Sequence, residues 1–269
     1  MVDLNKIYLG DCIQGMQQIP DGFVDLVVTS PPYDNLREYN DDIDKSWGEQ
    51  VWKPVLQQLY RVLKDGGVAV WVVGDASENF CESLTSFKQA LYAKEIGFNV
   101  LDTMIYVKQN YAPVYPTIKR YANQFEYMFV FCKGAPKTFN PIRLKNNVIH
   151  RAHTSAFRQK DGSLERKVIQ PTGDMKDATN VWVYCVGGNT TGHPAVFPQE
   201  LAEDHIKSWS NKGDVVLDPF MGSGTTALAS VILGRKFIGY ELSQEYLDIA
   251  NSRLKKLTGP FRIYGNIGC

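Results

Sequence analysis

Strand-sized apolar runs alternate along this chain with segments of helical periodicity, and that alternation constrains the fold more than any single residue does. Ile7-Tyr8-Leu9 and Val24–Val28 read as strands, and Val51, Val55, Leu59 and Val62 then recur at helical spacing. Lys64-Asp65-Gly66-Gly67 supplies turn chemistry after that helix, and Val68–Val73 is the next buried strand. Phe87, Leu91 and Ile96 predict a helix stopped near Gly97, followed by strands at Val100–Val107 and Phe125–Phe131. Near the far end come a strand at Val215–Leu217, a helix over Thr225–Leu233 and a strand at Lys236–Tyr240. Ser243 then caps a helix whose apolar face carries Tyr246, Ile249, Ala250, Leu254 and Leu257. Strands that alternate with helices predict an α/β fold with a largely parallel sheet.

From Lys133 to about Gly192 the periodicity fades, and Asn, Thr, Gly and Lys become common. Lys133–Lys167 holds nine bases against two acids, a balance of +7, in a protein whose 29 basic and 29 acidic residues give a net charge of +0. Neutrality argues against a simple basic coat protein for nucleic acid, but segregated charge leaves nucleic-acid binding open. On its own the basic stretch reads either as a solvated insertion or as an arm for phosphates.

The five cysteines are widely spaced and none forms a C-x-x-C, which predicts reduced thiols and a cytoplasmic protein without a disulfide framework or a zinc site. The first residues lack a charged segment followed by an apolar one, so no signal peptide is expected. The apolar runs are strand-sized, which argues against a membrane span. His150 and His153 are better suited to phosphate or solvent than to a metal, and no metal is expected.

Two loops carry chemistry. Val215-Val216-Leu217 leads into Asp218-Pro219-Phe220-Met221-Gly222-Ser223-Gly224-Thr225-Thr226-Ala227, a small-residue turn that opens a helix. Its G-x-G-x-x-A is followed nineteen positions after Gly222 by Glu241, at the end of the next strand. That is the pattern of a nucleotide-type site: glycines admit the ligand to the backbone, and the acid accepts hydrogen bonds from ribose hydroxyls. No Lys follows Gly224, so the turn is not a P-loop. An acid at Asp218 would repel a pyrophosphate and suit a cationic ligand, a sulfonium or an ammonium. After Val24–Val28 comes Thr29-Ser30-Pro31-Pro32-Tyr33-Asp34. Two prolines fix φ and remove two N–H donors, which makes a stiff loop at the carboxyl end of a parallel strand. Its carbonyls, the Ser30 hydroxyl and the Tyr33 ring suit a planar ring bearing an amino group.

Ser30-Pro31-Pro32-Tyr33 together with Asp218-Pro219-Phe220-Met221-Gly222-Ser223-Gly224-Thr225 resembles the S-adenosylmethionine-dependent DNA amino-methyltransferases, in the β-type order with the catalytic motif first. Leu9-Gly10-Asp11-Cys12 is similar to the family's N-terminal segment, whose acid lies near the cofactor adenine. Gly192–Pro198 is similar to the segment before the cofactor strand, although the usual Thr-Gln-Lys-Pro run is replaced, which leaves His193 and Phe197 without assigned roles.

The resemblance implies a Rossmann-like, doubly wound, mostly parallel sheet, the class I methyltransferase fold, with an inserted target-recognition region. It implies S-adenosyl-L-methionine as cofactor, held by Asp11, Asp218, Pro219, Phe220, Gly222, Ser223, Gly224, Thr225 and Glu241. It implies catalysis by Ser30, Pro31, Pro32 and Tyr33 on a base flipped out of double-stranded DNA. It divides the chain into a catalytic half at 1–132, a target-recognition insertion at 133–192 and a cofactor-binding half at 193–269. DNA contacts are then expected from Lys137, Arg143, Lys145, Arg151, Arg158 and Lys160. Ser at the first motif position resembles the N4-cytosine enzymes, with N6-adenine as the alternative. The resemblance also implies a prokaryotic or phage setting and leaves open a cognate restriction endonuclease system.

C5-cytosine chemistry is disfavoured because no cysteine follows a proline. A nicotinamide oxidoreductase would account for the glycine turn and Glu241 but not for the Ser-Pro-Pro-Tyr loop or the basic insertion. An inactive DNA-binding relative is opposed by the intact motifs. Transfer to RNA or to a protein amide is opposed by the motif order.

Overall fold

A computed structural model describes residues 2–32, 47–111, 119–146, 152–170, 173–185 and 198–258. In chain order the elements are β1 (Lys6–Leu9), α1 (Cys12–Met16), β2 (Val24–Thr29), α2 (Glu49–Val62), β3 (Leu63–Val73), β4 (Ser77–Glu78), β5 (Cys81–Glu82), α3 (Thr85–Glu95), β6 (Asn99–Lys108) and β7 (Phe125–Cys132). They continue with β8 (Arg143–Lys145), β9 (His153–Arg158), β10 (Leu164–Ile169), β11 (Met175–Asp177), β12 (Val181–Tyr184), α4 (Gln199–Trp209), β13 (Val215–Asp218), α5 (Thr225–Ile232), β14 (Lys236–Glu241) and α6 (Gln244–Thr258).

An eight-stranded sheet in the order β1-β14-β13-β2-β3-β7-β6-β12 organises the first compact unit, 1–140 with 180–269. The run from β1 to β3 is parallel, β7 is antiparallel to both its neighbours, and β12 returns parallel to β6. Both faces of the central strands are buried, which is why they read as continuous apolar runs. Val27, Trp71, Phe129 and Leu217 face a core filled by α1, α2 and α3 through Met16, Trp52, Leu56, Leu59 and Ala93. Leu26, Val28, Val70, Val130 and Val216 face the opposite core, filled by α4 and α5 through Leu201, Ala202, Ile206 and Ala229. The chain therefore adopts the α/β class expected from its alternation, in the Rossmann-like form that the resemblance implies.

Three local expectations change. α3 forms where Phe87, Leu91 and Ile96 predicted a helix, but Leu91 is 69% exposed, and the helix buries Ser86, Gln89, Ala90 and Ala93 instead. The Trp71 indole explains this, because it donates to Gln89 Oε1 at 2.8 Å across the buried interface. The helix over Val51–Val62 ends earlier than the glycine pair: α2 closes at Val62, and β3 already runs through Lys64–Gly67. A register shift against β2 between Val24 and Leu26 and the positive φ of Gly66 (80°) accommodate the entry.

The third change is the central stretch, which builds strands despite its faded periodicity. Pro141–Thr179 forms a second compact unit made of two separate two-stranded sheets, β8 with β11 and β9 with β10. It is shorter at both ends than the 133–192 insertion outlined above. Lys133–Asn140 stays with the first unit, where Gly66 N–H donates to Lys133 O at 2.6 Å and Asn140 N–H to Ser208 O at 2.8 Å. Val181–Tyr184 is an edge strand of the main sheet. Strands with nearly every side chain in water need no apolar alternation, so their period-2 signal is missing from the sequence.

Candidate active site

Four adjacent parallel strands, β1, β14, β13 and β2, end at one edge of the sheet, and every cofactor residue expected from the sequence sits at the last residue of one of them, in the turn that leaves it or at the start of α5. Asp11 follows β1, Glu241 closes β14, Asp218 closes β13, and Ser30-Pro31-Pro32 follows β2. The edge also contains the reversal of strand order between β13 and β2, where ligands bind in open α/β sheets. Tyr33 and Arg151, and His150, His193 and Phe197 with them, lie outside the described residues.

The two motif loops are physically joined. Thr29, the last residue of β2, donates its hydroxyl to Asp218 Oδ1 at 2.6 Å, and Phe220 N–H donates to the same oxygen at 3.0 Å. Thr226 Oγ1, in the first turn of α5, shares its single hydroxyl proton between Val28 O, at 3.2 Å, and the Asp218 carboxyl. Burial pushes the Asp218 carboxyl up to about 6, and these hydrogen bonds oppose that shift. With only 1% of its surface exposed, Asp218 acts first as the pin that holds the Ser-Pro-Pro loop against the glycine turn. Thr29 and Thr226 had not been singled out from the sequence. A hydroxyl at the end of a buried strand, facing an acid at the end of another, is the signal that would have found them.

Glu241 holds the turn from the other side. Its Oε2 accepts Gly222 N–H at 2.7 Å and its Oε1 accepts Ser243 N–H at 2.9 Å. Burial raises the carboxyl and the backbone N–H bonds lower it. Each carboxylate oxygen has a second lone pair, so a ribose hydroxyl can be added to this pattern. Asp11 caps α1, accepting Ile13 N–H at 2.9 Å and Gln14 N–H at 3.0 Å through Oδ1. Gly10 N–H donates to Glu241 O at 2.8 Å, which fixes the β1 and β14 turns together.

Gly222 (φ 51°) and Gly224 (φ 86°) adopt the left-handed backbone that side chains disfavour. At Gly224 packing adds a second reason, since a Cβ there would stand 2.8 Å from Ala250 Cβ on α6. From the same helix Arg253 Nη1 donates to Ser223 O at 2.6 Å and to Ser223 Oγ at 3.1 Å. Sequence reading passed over Arg253 because it lies between the apolar positions of an ordinary amphipathic helix.

The cradle fits a polar, partly cationic ligand. Thr225 Oγ1 is buried at the start of α5 without a hydrogen-bond partner among the described residues, which suits a ligand's polar group. The first-turn N–H groups of α5 suit a carboxylate, and the Asp218–Glu241 pair of acids suits a cation.

The expected DNA contacts are placed differently from one another. Lys137 belongs to the first unit, its N–H on Gly66 O at 3.1 Å. Arg143 is ion-paired with Asp177 at 2.7 Å across β8 and β11. Lys145 is exposed at the end of β8, Arg158 ends β9, and Lys160 lies in the exposed turn that follows.

The DNA methylase family model matches residues 24–252. The chain is 47% identical over 250 residues to an orphan methyltransferase, M.BamHII, of Bacillus amyloliquefaciens, covering 89% of this chain and 91% of that protein. It is 32% identical to the type II methyltransferase M.BglII of Bacillus subtilis, covering 92% and 68%. Among solved structures it resembles M1.HpyAVI in complex with SAM (26% identity, 93% of this chain and 98% of that one, TM-score 0.62). It shares its fold with the cytosine-N4-specific PvuII DNA methyltransferase (20% identity, 94% and 87%, TM-score 0.68).

Proposed function

Because the chain belongs to the N4/N6 DNA methylase family, the S-adenosylmethionine-dependent DNA amino-methyltransferases, we propose that it methylates the exocyclic amino nitrogen of a base flipped out of duplex DNA, with N4 of cytosine as the acceptor. The observation that carries this reading is the Thr29–Asp218 hydrogen bond, which sets the Ser30-Pro31-Pro32 loop beside the glycine turn.

S-adenosylmethionine supplies the methyl group on an electrophilic sulfonium. The remaining work belongs to the protein. The acceptor nitrogen is a weak nucleophile because its lone pair is delocalised into the ring. Accepting its two N–H bonds at Ser30 Oγ and the Pro31 carbonyl favours a pyramidal nitrogen with the lone pair turned to the methyl group. Two prolines fix φ along the loop and remove two N–H donors from it, which limits how far that carbonyl can turn away. Tyr33 stacks on the extruded base. Thr225 and the first turn of α5 would take the cofactor's carboxylate end, Glu241 would hold its ribose, and Asp11 would stand toward its adenine. Burial beside Asp218 excludes water from the cation. Serine at the first motif position supports cytosine over adenine.

The relatives' names cover an orphan methyltransferase and type II methyltransferases, so the proposed reaction does not depend on an endonuclease partner. No helix among the described residues is long and apolar enough to cross a membrane. Incubating the protein with duplex DNA and methyl-labelled cofactor, then digesting to nucleosides for mass spectrometry, should yield N4-methylcytosine. N6-methyladenine alone would overturn the choice of base, and no labelled nucleoside would overturn the function.

A further inference from the structure

The second unit contains a free two-stranded ribbon whose two faces differ. In the antiparallel register of β9 and β10, Arg158 pairs with Leu164, Ala156 with Arg166 and Thr154 with Val168. Side chains alternate across a strand, so Thr154, Ala156, Arg158, Leu164, Arg166 and Val168 share one face. His153, Ser155, Phe157, Glu165, Lys167 and Ile169 share the other. Every residue of the first face is exposed, whereas partial cover falls only on Ser155 and Ile169 of the second.

Charge divides the same way. On the second face Glu165 is already engaged, by Lys167 at 3.2 Å and by the Gln159 amide. In the turn, Asp161 accepts both the N–H (2.9 Å) and the hydroxyl (2.7 Å) of Ser163. On the first face neither Arg158 nor Arg166 meets a carboxylate at ion-pair distance among the described residues. Beside these two guanidinium groups stand Leu164 and Val168, 66% and 62% exposed.

We propose that this face of the β9–β10 ribbon enters the major groove of the DNA and reads base edges there, with Arg158 and Arg166 recognising guanine. The proposal rests on the DNA methyltransferase reading above and adds the reading element and its specificity-determining side chains. The major groove, about 12 Å wide, admits a two-stranded ribbon. A guanidinium fork matches the O6 and N7 acceptors of guanine, and small apolar side chains match the thymine methyl group. A surface that only gripped phosphates would have no use for exposed Leu164 and Val168 on either side of Arg166. The opposite face, with its Glu165–Lys167 pair, is the one turned from the bases.

The test is methylation of a randomised duplex library by the protein and by the variants Arg158→Gln, Arg166→Gln and Lys167→Gln, read by methylation-sensitive sequencing. The expected result is a guanine-containing context for the protein as it stands and the same context for Lys167→Gln. Each arginine variant should relax one guanine position, with discrimination against the wrong base falling about 5- to 150-fold. Unchanged contexts in both arginine variants would overturn the proposal. For an arginine variant too weak to methylate, binding to cognate and scrambled duplexes decides: lost preference supports the assignment and kept preference overturns it. Absence of DNA methylation by the unsubstituted protein would instead overturn the functional reading and this proposal with it.

Discussion

Thr29→Val removes one hydroxyl and keeps the shape and β-branching of the last residue of β2, so it isolates the pin between the two motif loops. The lost bond is a 2.6 Å donation to a carboxyl with 1% exposure. Hydrogen bonds to charged groups contribute about 1.5–3 kcal/mol, and Phe220 N–H and Thr226 remain to the carboxylate, so about 2 kcal/mol of destabilisation is expected at pH 7.5. For a domain of this size that corresponds to a fall in Tm of roughly 4–8 °C. The pH dependence follows from the same group. Burial already raises the folded-state pKa of Asp218 to about 6 from an ordinary value near 3.8, so its contribution favours the fold at low pH and is lost as pH rises through about 6. Removing a donor to the charged form raises that pKa further. The defect should therefore shrink to about 1 kcal/mol near pH 5, where Asp218 is protonated and only a neutral hydrogen bond is missing. Urea unfolding of both proteins at the two pH values measures this. A defect of equal size at both pH values, or one below about 0.5 kcal/mol at pH 7.5, would refute the assignment of Asp218 as a charged pin.

Asp218→Asn should remove a pH dependence from cofactor binding. In the unsubstituted protein, affinity for S-adenosylmethionine should rise as pH climbs through about 6, because the carboxylate that attracts the cation forms there, and calorimetry on the Asn variant should give a flatter profile. Gly222→Val places a β-branched residue at φ 51°, and cofactor affinity should fall at least about tenfold; equal affinity by calorimetry would sink this claim. Arg253→Met cuts both bonds to Ser223 while keeping the aliphatic stem over the turn. It should raise the KM for cofactor about tenfold with kcat little changed, and Arg253→Lys should restore part of the loss; a fall in kcat alone would contradict the positioning role.

How much of this was legible in the sequence depends on what each residue answers to. Strands buried on both faces must be apolar throughout, so Val24–Val28, Val68–Val73 and Val215–Leu217 announced themselves. Backbone-demanding residues did the same, since Gly222, Gly224 and the proline pair leave few alternatives. α3 misled, because its buried face is set by Gln89 satisfying Trp71, a polar partner that periodicity counts as solvent-facing. The β9–β10 ribbon was invisible for the converse reason: among the described residues only Ser155 and Ile169 are even partly covered, so no apolar alternation records its strands.

The least legible feature is also the one that makes the two motifs a single site. Thr29 and Asp218 are 189 positions apart, and neither sequence neighbourhood contains information about the other. Only the crossover that seats β13 beside β2 brings them together, and the bond they form accounts for the choice of an acid where a nucleotide phosphate would have forbidden one. Asp218 is then constrained from three directions, by Thr29, by Phe220 N–H and by Thr226, before any ligand is considered. Its neighbours stabilise the charge without neutralising it, so a buried acid near pH 7 stays mostly ionised and keeps an unspent attraction for a cation. The net charge of +0 has the same structure on a larger scale: Pro141–Thr179 carries eight bases against four acids, so the remainder of the chain is acidic by four charges. A chain that must hold a sulfonium in one place and a polyanion in another has reason to be neutral as a whole and polar in its parts.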